Sequence, residues 1–327
     1  MKNQYAVGNE KRVKFAANDN TEPAAHYMKH DSFAVIFIAI ILILKSGVAA
    51  AATPQILVTL KPLHSLVSGL SHGISQPSLL LDDMQSPHDY QLKPSDRRLL
   101  ASANIIIYAS DNIESFMQPL SSSLGSRQLI ALDTLPGMPL LPARSTDADH
   151  HDNHRADYDG HIWLSPLNAR IIVQQLAEML VQYDPANRNK YFSNRDHLLQ
   201  RLNTLEKKID QQLLPVRNQP FLQFHDALQY FERDFSLNHG VTVTSGAEHA
   251  PGARHIRALQ QQIREKKINC FLYEPPQAPK LLETLDVNRS AKKQALEIHG
   301  SQITAGGDLY FSLLENIAGQ IHECLQP

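Results

Sequence analysis

The chain has 327 residues, of which 43% are hydrophobic and 20% charged. That excludes a disordered or collagen-like polypeptide and leaves length for two cores. The formal net charge of -2 argues against a nucleic-acid binder, and two cysteines exclude a cysteine-built structural zinc site, although there are 16 histidines.

Phe33 to Leu44 form an unbroken apolar run. It is shorter than the about 20 residues that a membrane-spanning helix needs, and it matches the central region of a secretory signal peptide. Small residues follow, and Ala50 to Ala52 satisfy the A-x-A cleavage pattern. Residues 1–52 are therefore expected to be a cleaved signal peptide, with Met28, followed by Lys29, a more regular start than Met1. Export places Cys270 and Cys324 in an oxidising compartment, where an even pair is expected to form a disulfide.

Short apolar strands are predicted at Ile56–Leu60, Ser78–Leu81, Ile105–Tyr108 and Gln128–Leu132. Helices are predicted at Leu63–Leu70 and from Lys93 to Ser102. The tract Asp147 to Asp159 is dominated by aspartates with His150, His151 and His154, has nothing that can form a core, and reads as a mobile loop. An ordered strand-to-helix passage follows from His161. Ser165 serves as N-cap and Pro166 as the first residue of a helix to about Tyr183. A long helix is predicted over 185–214. Strands then recur at Phe221–Phe224, Val241–Val243, Cys270–Tyr273 and Ala295–Ile298. The helices among them are a short one ending at Phe235, then Gly252–Lys267, Pro279–Val287 and Leu309–Cys324. Strands alternating with helices indicate an α/β fold: two similar lobes with parallel-type sheets, 53–184 and 215–327, joined by one long connecting helix.

His88, His161 and His225 each lie beside a predicted strand or in the loop after one, and Glu297 lies in the last strand. Carboxyl ends of strands border the ligand crevice of open α/β sheets, so these four residues, two per lobe, would bring a metal into the cleft between lobes. Three neutral imidazoles and a carboxylate suit zinc. No H-x-x-x-H pair fixes two ligands on one helix, and each histidine taken alone is as readily a surface or core residue. His64 and His72 read as structural. Asp226 is a candidate to orient an imidazole from behind, or a helix N-cap. Glu274 could face the cleft.

From Ile56 to Cys324 the chain resembles the cluster A-I substrate-binding proteins of metal ABC transporters, in particular the periplasmic zinc-uptake group of the ZnuA type. The stretches that carry the resemblance are Lys61-Pro62-Leu63-His64-Ser65-Leu66, Ser86 to Asp96, His161-Ile162-Trp163-Leu164-Ser165-Pro166, Phe224-His225-Asp226-Ala227, Pro251-Gly252-Ala253 and Glu274-Pro275. The resemblance implies a two-lobed fold with a rigid connecting helix and metal ligands at His88, His161 and His225. A histidine in the third position favours zinc over manganese. It also implies a Cys270–Cys324 bridge, a monomer in the periplasm, and partnership with an inner-membrane ABC permease and its cytoplasmic ATPase.

The fourth ligand of that family is an aspartate in a Leu-Asp-Pro-like segment. Here the stretch is Leu296-Glu297-Ile298-His299-Gly300, so Glu297, His299 or water could take that place. The histidine tract is read as an accessory zinc-delivery loop, and loss of residues 147–159 is expected to leave tight cleft binding nearly intact. A manganese or iron binding protein, a metal-dependent adhesin and a secreted zinc hydrolase are the alternatives. The hydrolase is disfavoured by the lack of H-E-x-x-H and G-x-S-x-G motifs.

Overall fold

A computed structural model describes residues 53–82, 86–120, 124–125, 128–144, 158–244, 252–275 and 279–326. The expected signal peptide and His150, His151 and His154 lie outside the described residues. Among the described residues no helix is long and apolar enough to cross a membrane.

The first half builds a four-stranded sheet from β1 (Ile56–Leu60), β2 (Ser78–Leu81), β3 (Ile105–Tyr108) and β4 (Gln128–Ala131), in the order β2-β1-β3-β4. Every pairing in it is parallel. The helices α1 (Lys61–Leu70) and α2 (Pro94–Ser102) fall between these strands. β1 and β3 are buried along their whole length, which is why they read as continuous apolar runs rather than alternating ones.

The second half repeats the topology with β5 (Leu222–His225), β6 (Val241–Thr244), β7 (Cys270–Tyr273) and β8 (Lys292–Ala295), again all parallel, in the order β6-β5-β7-β8. Its helices are α5 (Gln229–Phe235), α6 (Ala253–Glu265) and α7 (Pro279–Leu285). Gly240 is required at the entry to β6, because a Cβ there would lie 1.5 Å from the Phe221 carbonyl oxygen.

Two helices stand between the sheets in sequence, α3 (Pro166–Tyr183) and α4 (Arg188–Leu213), and a last one, α8 (Leu309–Leu325), closes the chain. The Ser165 side chain caps α3, accepting from the Asn168 N–H at 2.9 Å, with Pro166 in the first turn. α4 has 26 residues and so is about 40 Å long. Its buried stripe of Leu198, Leu202, Leu205, Ile209 and Leu213 packs against α1, α3 and α8. The Tyr310 N–H of α8 donates to Ser65 of α1 at 3.0 Å, and the Tyr310 hydroxyl donates to the Ser165 carbonyl at 3.1 Å. One apolar core therefore takes in Leu57 and Ile107 from the first half, α4 and α8, and Phe221, Tyr230 and Leu296 from the second. A smaller cluster around Phe224, Val243, Leu259 and Phe271 fills the other side of the second sheet. Cys270 and Cys324 form a disulfide that ties β7 to α8.

Three details differ from the sequence reading. His161-Ile162-Trp163-Leu164 contains no strand: residues Ile162–Leu164 form a single 3₁₀ turn, fully buried. The long helix begins at Arg188, because Pro185–Asn187 is a separate 3₁₀ turn. The last strand ends at Ala295, so Glu297 lies beyond it, in the turn leading towards α8.

Candidate metal site

The site forms where the carboxyl ends of the strands of both sheets meet. His225 is the last residue of β5. His88 sits in the 3₁₀ turn Pro87–Asp89 after β2, where its N–H donates to the Ser86 hydroxyl at 3.4 Å. The continuation of that turn is pinned by Asp96 in α2, which accepts from the Tyr90 hydroxyl at 2.8 Å and the Lys93 N–H at 2.7 Å. His161 immediately precedes the buried turn that leads into α3.

One nitrogen from each of His88, His161 and His225 falls within 4.8 Å of the others. The Nε2 atoms of His88 and His161 are 3.4 Å apart, and the His161 and His225 ring centres 4.9 Å. Nitrogens bound at 2.0–2.1 Å around a tetrahedral zinc are about 3.3 Å apart, so the rings stand at ligand spacing. His161 and His225 are buried, while His88 is half-buried at the mouth.

Two carboxylates hold the rings from behind. Asp159 Oδ1 accepts from the His161 backbone N–H at 2.9 Å and lies 2.6 Å from His161 Nδ1. Its own carbonyl accepts from the Tyr230 hydroxyl at 2.7 Å. Glu274 Oε1 lies 3.0 Å from His225 Nδ1. An Nδ1–H donated to each carboxylate leaves Nε2 as the metal donor and raises its basicity. Between Asp159 and His161 only glycine fits: a Cβ on Gly160 would lie 2.5 Å from Ile113 Cγ1 and 2.9 Å from Ser110 Oγ.

Electrostatics separates the rings. Burial, and then the neighbouring imidazoles, hold His88 well below the usual imidazole range. Burial pulls His225 down as well, but the Glu274 carboxylate overrides it and carries His225 above its ordinary value. Burial would raise Glu274, yet His225, with smaller help from His299 and His161, holds it below the usual range.

Asp226, expected behind an imidazole or at a helix N-cap, does neither. Its Oδ1 accepts from Gln223 Nε2 at 2.8 Å and Arg144 Nη1 at 3.2 Å, and α5 begins three residues later. The orienting residues are Asp159 and Glu274. Asp159 ends the polar tract in sequence, yet it is buried and bonded to His161. Its signal in the sequence is the Asp159-Gly160-His161 step: an acid two residues before a candidate ligand, with a glycine that lets the chain fold back.

Glu297 stays outside the three-histidine group. Its Oε1 accepts from the His299 N–H at 2.8 Å and its Oε2 from the Ser301 N–H at 2.9 Å, so the carboxylate closes its own turn. His299 is nearer the site, with Nε2 3.9 Å from Glu274 Oε2. Burial takes its pKa down to about 4. Trp163 spans the two parts: its ring centre is 5.3 Å from that of His161 and 5.8 Å from that of His299, and its Nε1 donates to the Ile298 carbonyl at 3.0 Å. His64 is structural, bonded through Nε2 to the Pro77 carbonyl at 3.0 Å.

Residues 56–324 match the family model described as zinc-uptake complex component A, periplasmic (ZnuA). The chain belongs to this family. A high-affinity zinc uptake system protein ZnuA of Brucella abortus (strain 2308) is 31% identical over 304 residues, covering 83% of this chain and 91% of that protein. The counterpart from Yersinia pestis is 29% identical over 293 residues, covering 84% and 92%. A crystal structure of ZnuA superposes with a TM-score of 0.71 at 22% identity, covering 84% of this chain and all of the other, which establishes the shared two-lobed fold.

Proposed function

We propose that this family member captures Zn²⁺ in the periplasm and delivers it to the inner-membrane permease of an ABC importer. The observation that carries the reading is the convergence of His88, His161 and His225 at ligand spacing, with no cysteine among them. Imidazoles favour zinc over the harder manganese and magnesium ions. The relatives that cover most of the chain are named for high-affinity zinc uptake.

In this reading zinc binds Nε2 of His88, His161 and His225 and sheds hydration water. Water fills the fourth position, with His299 the nearest further imidazole, since the Glu297 carboxylate is taken up by backbone N–H groups. The site binds rather than hydrolyses. A hydrolase needs a general base free to take a proton from metal-bound water, and the two carboxylates beside the rings, Asp159 and Glu274, are each engaged with a histidine.

Competitive titration of zinc and manganese into purified wild-type and His225→Ala protein tests this. Zinc preference in the wild type and a collapse of zinc affinity in the variant are expected. Manganese preference, or unchanged zinc affinity in His225→Ala, would overturn the assignment.

A further inference from the structure

Beside the three histidines lies a cavity of about 90 Å³ whose lining includes His88, His161, His225, Asp226 and Arg144. Asp226 adjoins His225 in the chain and lines the same cavity, though it stands outside the three-histidine group, so a turn of its side chain would bring an oxygen donor towards an ion held there. Arg144 prevents this. It comes from the stretch after β4 in the first half, which is seated on α5 of the second: the Leu141 N–H donates to the Tyr230 hydroxyl at 3.2 Å, and Gln229 Nε2 donates to the Pro142 carbonyl at 3.1 Å. Its guanidinium then forks, Nη1 donating to Asp226 Oδ1 at 3.2 Å and Nη2 to Glu232 Oε2 at 2.6 Å. Both carboxylates are buried, with side chains 5% and 3% exposed.

We propose that Arg144 is a specificity-determining residue that pins Asp226 away from the ion and so keeps the donor set rich in nitrogen. This rests on the zinc-binding reading of the site and adds to it the device that excludes harder ions. Two further partners decide which carboxylate would be released without the arginine. Glu232 would keep Gln223, whose Nε2 donates to Oε1 at 3.2 Å, and would gain His239, whose Nδ1, 2.8 Å from Arg144 Nη1 and 3.2 Å from Glu232 Oε2, is released by the arginine to donate to the carboxylate. Asp226 would keep only the Gln223 amide. A buried carboxylate left with one neutral donor gains by turning to a divalent cation in the same cavity. A carboxylate oxygen in place of water favours manganese and magnesium relative to zinc. Lysine cannot replace the fork, because a single ammonium presents a point charge rather than two diverging N–H edges.

The test is competitive titration of Zn²⁺ and Mn²⁺ into Arg144→Gln, Arg144→Lys, Asp226→Asn and the double variant Arg144→Gln/Asp226→Asn, with thermal melting of each metal-free protein. In Arg144→Gln the zinc-to-manganese affinity ratio is expected to fall by about tenfold or more through tighter manganese binding, with a smaller fall in Arg144→Lys. The double variant is expected to regain the wild-type ratio, and Asp226→Asn alone to keep it. An unchanged ratio in a folded Arg144→Gln, or no recovery in the double variant, overturns the proposal. So does a changed ratio in Asp226→Asn alone, which is readable even where Arg144→Gln fails to fold. All of these failures leave zinc binding through the histidines standing. Loss of that reading shows separately, in His225→Ala.

Discussion

Glu274 Oε1 sits 3.0 Å from His225 Nδ1, so a residue just past the end of β7 sets the orientation of a ring at the end of β5. The pair links two neighbouring parallel strands across their carboxyl ends, and the carboxylate favours a proton on His225 Nδ1. Glu274→Gln keeps the shape and removes the charge. Zinc affinity is expected to fall by about 10–100-fold, the usual effect of losing such a partner, with the fold intact. Isothermal titration with a competing chelator, alongside circular dichroism, would show it. Unaltered affinity would mean that His225 needs no orienting acid.

The same pair sets the pH response. His88 and His299 are held low by burial and are already neutral at pH 7. The Glu274 carboxylate raises His225 above the ordinary imidazole value, so in the metal-free protein it holds its proton to higher pH than a free imidazole does, and zinc competes with that proton. Affinity is therefore expected to weaken as pH falls through a value above 6.5, with about one proton released per ion bound near that pH. Glu274→Gln should move the onset downwards. Zinc titrations from pH 8 to pH 5.5 in two buffers of different ionisation enthalpy give both the onset and the proton count.

Glu297 is expected to act on stability. Glu297→Gln loses the charge that two backbone N–H groups share, at a cost of about 1–2 kcal/mol. Melting should drop by a few degrees, while the zinc dissociation constant stays within about threefold of wild type. A large loss of zinc affinity at unchanged melting temperature would instead make Glu297 a ligand.

The histidine and aspartate tract gives a test in which one boundary matters. Deletion of residues 147–157 is expected to leave equilibrium zinc affinity nearly unchanged. Extending the deletion through Tyr158 and Asp159 is expected to weaken it sharply, because Asp159 holds His161 and the Tyr158 hydroxyl donates to Asp133. The comparison is a chelator-competition titration of the two deletions side by side.

The Cys270–Cys324 bridge closes a long loop, with a sequence separation of 54. Replacing both with serine is expected to lower stability by up to about 4 kcal/mol in the chain-entropy account, and to leave zinc affinity unchanged. Urea unfolding of the oxidised and substituted proteins measures the first, and titration the second.

Much of the fold could be read because β1 and β3 are buried on both faces, so their residues form compact apolar runs with prolines, glycines and charges between them. The interval at 161–164 misled for the same reason: Ile162, Trp163 and Leu164 are as buried as a strand, but they form a turn under the site, and burial alone does not fix backbone conformation. β8 was misplaced because Lys292 and Lys293 lie on an edge strand and carry no apolar signal. His88 and His225 are legible through their positions after β2 and at the end of β5, whereas no strand adjoins His161, which is legible through the stretch His161 to Pro166. The residues behind the rings are not, because Glu274 lies 49 positions from His225 and is brought to it only by the β5–β7 pairing. Asp226, adjacent in sequence to His225, is turned away by an arginine 82 positions earlier.

The core shared by both halves bears on how an ion would leave. Swinging the sheets apart would strip the buried side of α8 from α1 and α4 and wet a continuous apolar seam. The turn Pro87–Asp89 that carries His88 is tied by a few hydrogen bonds, whereas the turn over residues 296–301 is anchored in that core by Leu296 and Ile298. Local peeling of the His88 turn costs far less than parting the seam. An ion held by the three histidines would thus leave by the loosening of one latch at the edge of a rigid body, and its exchange rate should answer to substitutions in the His88 turn and be indifferent to the stiffness of the long helix.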